Sequence, residues 1–209
     1  MRKIAVITEG ESEWGAIPMI YQQLRDATGS TFLNPVRLKV QPDGPAAKIA
    51  RECKSVFKVL AEKGVSLAVL VLDRELKPES AGEIAQAIDS AIRVDCVFPF
   101  ELAVVMKDRA FENWVIADLD ALRAQPGRFD VTSALERAVS PDRADRVVAL
   151  DHLKKALRGT SSSYDKRQDS KRTLGKADVI RMAANSRSFR HFLHTVGHPA
   201  YASQCRAVA

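Results

Sequence analysis

The chain has 209 residues, 46% hydrophobic and 28% charged, with a formal net charge of +6. This is ordinary globular composition, long enough for a sizeable core in one domain or in one domain with an appendage. No apolar run approaches bilayer-crossing length, and the odd cysteines Cys53, Cys96 and Cys205 have no CxxC spacing; this argues against a membrane span, a zinc site or a disulfide framework, and for a reducing cytoplasm.

Met1–Ile7 looks at first like a secretory leader, but its apolar stretch stops at Thr8-Glu9. That is too short for a leader's apolar region, and a buried first strand over Lys3–Thr8 fits better. Ser12–Ala27 follows with Trp14, Ile17, Ile20, Tyr21 and Leu24 at helical spacing, which predicts one helix with both it and Trp114 contributing core tryptophans. Val36–Val40 alternates as an edge-like strand, and Pro42-Asp43-Gly44-Pro45 is a turn. Ala46–Lys63 is helical, and Leu67–Leu72 is apolar on both faces, the pattern of a central parallel strand covered by helices. A helix over Pro78–Ile92, one or two strands within Val94–Met106 and a helix over Phe111–Leu122 complete the alternation.

Beyond it, Ala124–Asp151 is looser and is expected to wrap the surface. Gly159–Ser163 is a flexible hinge, two short helices are expected near Lys176–Ala184 and Arg187–Val196, and an unstructured tail follows. The order predicts an α/β fold: a Rossmann-like parallel sheet with helices on both faces and a C-terminal helical extension. Residues 1–123 would form the α/β domain, and residues 124–209 a basic, mainly helical extension packing on it. Residues 151–209 hold 12 Lys/Arg and 4 Asp/Glu. That asymmetry fits a basic arm for polyanions or a solvated helical surface.

In a parallel sheet the functional site lies beyond the carboxyl ends of the strands. The first strand there runs into Glu9, with Glu13 one turn further on; the strand over Leu67–Leu72 runs into Asp73 and Glu75. Packed carboxylates repel and raise each other's pKa, a cost that Mg²⁺ removes; two such ions can activate water and stabilise the leaving oxygen in phosphodiester cleavage. The same acids also serve helix starts: Thr8-x-x-Glu11 has capping-box spacing, and Asp73 could cap the next turn. Lys166, Arg167, Lys171, Arg172 and Lys176 form a basic segment suited to gripping phosphates. His191, His194 and His198 could share a helix face, although Gly197 and Pro199 should end that helix first, and a solvated or phosphate-contacting face fits them better than zinc. No P-loop, G-x-G-x-x-G or G-x-S-x-G occurs, which argues against nucleotide hydrolysis and serine hydrolysis.

Ile4–Gly10 (IAVITEG) and Leu67–Glu75 (LAVLVLDRE) resemble the two acidic strand ends of the TOPRIM domain of topoisomerases, primases and overcoming-lysogenization-defect nucleases. Glu9 and Glu13 form an E-x-x-x-E pattern similar to the nuclease branch. A closer resemblance is to an uncharacterised TOPRIM-like bacterial family often encoded beside ATPase genes: Glu9–Glu13 matches its EGxxE start, Phe111-Glu112-Asn113-Trp114 its FExW segment, and Lys176–Phe192 its lysine-containing C-terminal helical region. The resemblance implies Glu9 as general base or metal ligand, and Glu13, Asp73 and Glu75 as ligands of Mg²⁺ or Mn²⁺. Glu112 would be an extra acid or a structural one, and Lys166 or Lys176 would stabilise the phosphate. It implies a nuclease or nickase acting on nucleic acid, with DNA expected, in phage defence or DNA processing, with a possible ATPase partner. The sequence departs from the pattern at Glu75, where many TOPRIM domains have aspartate, and at Arg74 between the two acids. A non-catalytic module of the same fold that docks on an ATPase is the alternative, and a phosphatase-like pocket around Asp73 fits less well.

Overall fold

A computed structural model of the chain describes residues 1–41, 44–159 and 163–203. The turn at Pro42-Asp43, most of the Gly159–Ser163 hinge, Cys205 and the tail lie outside the described residues. Strands β1 (Lys3–Thr8), β2 (Thr31–Phe32), β3 (Val36–Arg37), β4 (Leu67–Asp73) and β5 (Glu101–Lys107) form one parallel sheet. The order is β2-β1-β4-β5, with β3 also pairing β1. Lys3 and Ile4 pair with β2, while Ile7 and Thr8 pair with β3, so two short pieces share one edge of β1. The chain leaves β1 toward that edge and returns to β4 on the other side. The crevice between β1 and β4 is therefore the switch point, where open α/β sheets bind ligands.

Side chains alternate across the sheet because successive strand residues face opposite ways. Ala5, Ile7, Ala68, Leu70, Leu72 and Met106 pack against α3 (Ala46–Glu62) and α4 (Ala81–Asp95). Ile4, Val6, Val69, Val71 and Val105 face the opposite core. There they meet Ile17, Ile20 and Leu24 from the segment after β1. That segment is α1 (Glu11–Ala16), a 3₁₀ turn over Ile17–Ile20 and α2 (Tyr21–Thr28), not one helix. Pro18 supplies the physical reason, since it has no amide hydrogen for an α-helical bond.

The same core takes in the C-terminal helices. These are α5 (Phe111–Ile116), α6 (Leu119–Arg123), α7 (Ser133–Val139), α8 (Ala149–Lys155), α9 (Lys166–Leu174), α10 (Val179–Asn185) and α11 (Arg187–Thr195). The predicted helix over Phe111–Leu122 is divided because Asp118 caps α6, accepting from Asp120 N and Ala121 N. Residues 124–151 do not simply wrap the surface: Phe129, Leu135, Val139, Ala144 and Ala149 are buried in this core. Val94 belongs to the end of α4 rather than to a strand, and the predicted strand over Val36–Val40 shrinks to two residues.

Asp145 fastens the start of α11. Its Oδ1 accepts from Ser186 Oγ at 2.8 Å and Ser188 Oγ at 3.1 Å, and its Oδ2 from Ser188 N at 2.8 Å. Asp145→Ala leaves these buried donors unsatisfied and is expected to cost about 2–3 kcal/mol in urea unfolding. A loss below about 0.5 kcal/mol would mean that water replaces the carboxylate without penalty.

Candidate metal centre

The loop leaving β1 is built around a helix start. Gly10 is the N-cap of α1, and Glu13 Oε2 accepts from Gly10 N at 2.8 Å. Glu13 at the third helical position thus makes the return half of a capping box, with Gly10 offering no side chain for the other half, rather than the Thr8–Glu11 pair that the spacing suggested. A Cβ at Gly10 would lie 3.1 Å from Glu13 Oε2, so glycine permits this close approach. Glu9 reaches across the switch point, where its Oε1 accepts a short hydrogen bond from Asp73 N. Asp73 therefore ends β4 beside Glu9 and caps no helix; Ser80 caps α4.

In register with Asp73 on β5 lies Lys107, which is fully buried. Lys107 continues the face of Val105 and Asp73 that of Val71, so both side chains project on the sheet face covered by α1 and the C-terminal helices. Lys107 Nζ donates to Glu13 Oε1, and lies 2.9 Å from Asp73 Oδ1 and 3.6 Å from Glu9 Oε1. It also stands 5.6 Å above the Phe111 ring, within cation–π range. One ammonium thus sits among three carboxylates.

Burial dominates the electrostatics. Desolvation raises Glu9, opposed by Lys107 and by the Asp73 amide, and the nearby Glu75 charge raises it further. Desolvation also raises Asp73 well above its ordinary value, reinforced by Glu9, Glu75 and Glu112. Burial pushes Lys107 down to about 8, against the pull of Glu9 and Glu112.

Glu9, Glu13 and Asp73 each offer a carboxylate oxygen within 4.8 Å of the others, a grouping that can hold a metal ion. Glu9 Oε2 and Asp73 Oδ1 are buried without a hydrogen-bond partner. The 2.9 Å approach of Lys107 to Asp73 is a charge contact outside hydrogen-bond geometry. Buried orphan carboxylate oxygens are costly, and a hard divalent cation can satisfy them, so the donors fit the ion that the resemblance implies.

The other expected residues stand around this centre. Glu112 is buried and pairs with Lys166 Nζ at 2.8 Å. Arg167 pairs with Glu11 at 3.1 Å. Glu75 is exposed, with a left-handed backbone at φ 56°, and acts on the cluster through its charge. Arg74 pairs with Asp108 at 2.7 Å. Lys171 and Arg172 are exposed on α9. Lys176 lies past the end of α9, where neighbouring Ala177 accepts from Gln23 of α2; among the described residues Lys176 joins none of the acids. The basic segment is itself a helix, anchored by buried Asp169, Ser170, Thr173 and Leu174.

The three histidines do not share a helix face. His198 lies beyond α11, buried, and accepts from Ala200 N. That overturns a solvated face for His198. Trp14, expected in the core, is 48% exposed, with its indole donating to Pro35 O. Trp114 is fully buried, as expected. Two clefts, of about 430 and 770 Å³, are lined by other residues than Glu9, Glu13 and Asp73; chemistry, rather than cavity size, marks the candidate centre.

A family model matches residues 8–197. The chain belongs to that family, described as Domain of unknown function (DUF4276). The match spans the whole carboxylate cluster, Lys107 and the C-terminal helices through α11, but it carries no activity and no TOPRIM assignment. No curated protein and no solved structure matches the chain. Among the described residues, no helix is long and apolar enough to cross a membrane.

Lys107 is the residue that sequence reasoning missed. Lys107 ends the apolar run Ala103–Met106 just as Asp73 ends Leu67–Leu72, but as a base it carries no sign of an acidic centre.

Proposed function

We propose that the chain is a Mg²⁺- or Mn²⁺-dependent nuclease of TOPRIM type, cutting or nicking nucleic acid. One observation carries the reading: Glu9, Glu13 and Asp73 converge at the switch point with orphaned, buried oxygens on Glu9 and Asp73. When bound, a divalent ion would polarise a phosphate oxygen and lower the pKa of a water. The chain's own residues do the rest. Glu9 and Asp73 would hold the ion, with the orphaned Glu9 Oε2 and Asp73 Oδ1 as its ligand atoms. Lys107 fixes Glu13, and the Glu13 carboxylate fixes the loop that presents Glu9. Lys166, Arg167, Lys171 and Arg172 lie along α9, which packs on α1, and offer charge to phosphates. Glu75 would add its negative charge to the site, as it does on Glu9 and Asp73. The resemblance adds an ATPase partner, a cytoplasmic setting and a role in phage defence or DNA processing.

One observation favours a second reading. Lys107 already supplies a cation inside the cluster. A scaffold so neutralised can serve as a non-catalytic docking module for an ATPase.

Supercoiled plasmid incubated with Mg²⁺ or Mn²⁺ separates the two. The nuclease reading expects nicking by the wild type that EDTA abolishes, and that Glu9→Gln and Asp73→Asn lose while keeping the wild-type circular dichroism. Metal-dependent nicking undiminished in both variants would remove these carboxylates from the chemistry. Absence of nicking in every form, with or without a partner ATPase, would favour the docking module.

A further inference from the structure

The three clustered carboxylates are not equivalent. Both oxygens of Glu13 are committed: Oε2 accepts from Gly10 N at 2.8 Å, and Oε1 accepts from Lys107 Nζ. Glu9 uses only Oε1, on Asp73 N, and its Oε2 is orphaned on a side chain 6% exposed. Asp73 Oδ1 likewise has no hydrogen bond, only a charge contact with Lys107 Nζ at 2.9 Å. Glu13 and Lys107 therefore form a neutral pair, and the charge left over is that of two carboxylates.

We infer that the centre takes one divalent cation, held by Glu9 and Asp73, and that the Glu13–Lys107 pair is a built-in counter-charge occupying the space a second ion would need. The inference rests on the metal-binding reading above and sharpens it. Two carboxylates neutralise one divalent ion, and Mg²⁺ is ordinarily bound by one or two carboxylates with its remaining positions left to water and phosphate oxygens. A second ion would have to displace a buried ammonium that Glu13, Asp73, Glu9 and the Phe111 ring all stabilise. The fixed ammonium then plays the electrostatic part of that second ion, without being a ligand. Glu13 is a positioning residue, acting through Gly10 and Lys107.

Mn²⁺ titration of the full chain near neutral pH, read by electron paramagnetic resonance of free and bound ion, tests this without any turnover. The wild type is expected to bind one Mn²⁺ per chain, with no spin coupling between bound ions. Asp73→Asn should weaken binding by about 100-fold or more, and Lys107→Met/Glu13→Gln, which removes the neutral pair as a unit, should keep one ion within about 3-fold. Two Mn²⁺ per wild-type chain, or none, would overturn the inference, and this result needs no variant to fold. So would a folded double variant that loses binding as Asp73→Asn does, because Glu13 would then be a ligand. One bound ion with no nicking, with or without a partner ATPase, would sink the nuclease reading and leave this inference standing. Two bound ions with nicking would do the reverse.

Discussion

Replacing Lys107 by methionine should destabilise the metal-free protein by about 3–5 kcal/mol, the usual cost of removing one partner from a buried ion pair. Methionine approximates the length of the lysine stem, so the change removes charge and little volume. Glu9, Glu13 and Asp73 would then face one another with no cation among them, at side-chain exposures of 6, 3 and 15%. Two accompanying results identify the cause. Adding Glu13→Gln should bring the stability back to within about 1–2 kcal/mol of the wild type, because removing both members of a buried pair is often nearly neutral. The amide oxygen introduced by Glu13→Gln can still accept from Gly10 N, so the helix start survives. Saturating divalent ion should likewise restore the single variant, since binding to the folded state alone stabilises it. The readout is guanidinium unfolding in EDTA, then in Mn²⁺. A loss under about 1 kcal/mol for Lys107→Met would show that the ammonium is not the charge that holds the carboxylates together.

The second large effect belongs to Trp114. Its indole is fully buried, packs on Phe189 and Phe192 at centroid distances of 5.1 and 5.3 Å, and donates to Ser188 Oγ at 2.8 Å. It is the contact through which α5, shortly after β5, holds α11. Trp114→Ala should cost about 3–5 kcal/mol from lost burial and the cavity left behind. Since α5 also carries Phe111 and Glu112, the loss should loosen the wall beside Lys107 as well. Urea unfolding measures the cost. A decrease below about 1 kcal/mol would mean that the helices refill the space and that the tryptophan is not the joint between them.

The sheet was legible because its strands are apolar on both faces and end abruptly in charge. IAVIT and LAVLVL can be little else than buried parallel strands, and Glu9 and Asp73 follow from where those strands stop. Glu13 followed from helical spacing after Glu9, although its capping role depends on Gly10 rather than on Thr8. Lys107 was hidden by the expectation that a centre of acids is found by looking for acids; in a buried cluster the counter-cation belongs to the same pattern. The C-terminal helices were harder for a physical reason. Helix α9, KRQDSKRTL, is held by Asp169, whose two oxygens take Arg128 Nε and a second Arg128 nitrogen at 2.9 and 2.6 Å, so polar anchoring replaces the apolar stripe that sequence periodicity detects. Trp14 misled in the opposite sense. It lies at a helical position, but in the first turn beside the loop that enters β3, where its indole meets Pro35 O and one side of the ring stays wet.

Glu9 and Asp73 stand at the carboxyl ends of adjacent strands, and their role as a divalent-cation site is tested most directly by a crystal grown or soaked in Mn²⁺ and measured for anomalous scattering. A single anomalous peak is expected in contact with the Glu9 and Asp73 carboxylates, with Lys107 Nζ still on Glu13. Data of sufficient quality with no peak between those two side chains, or with the ion held by other residues, would contradict that role.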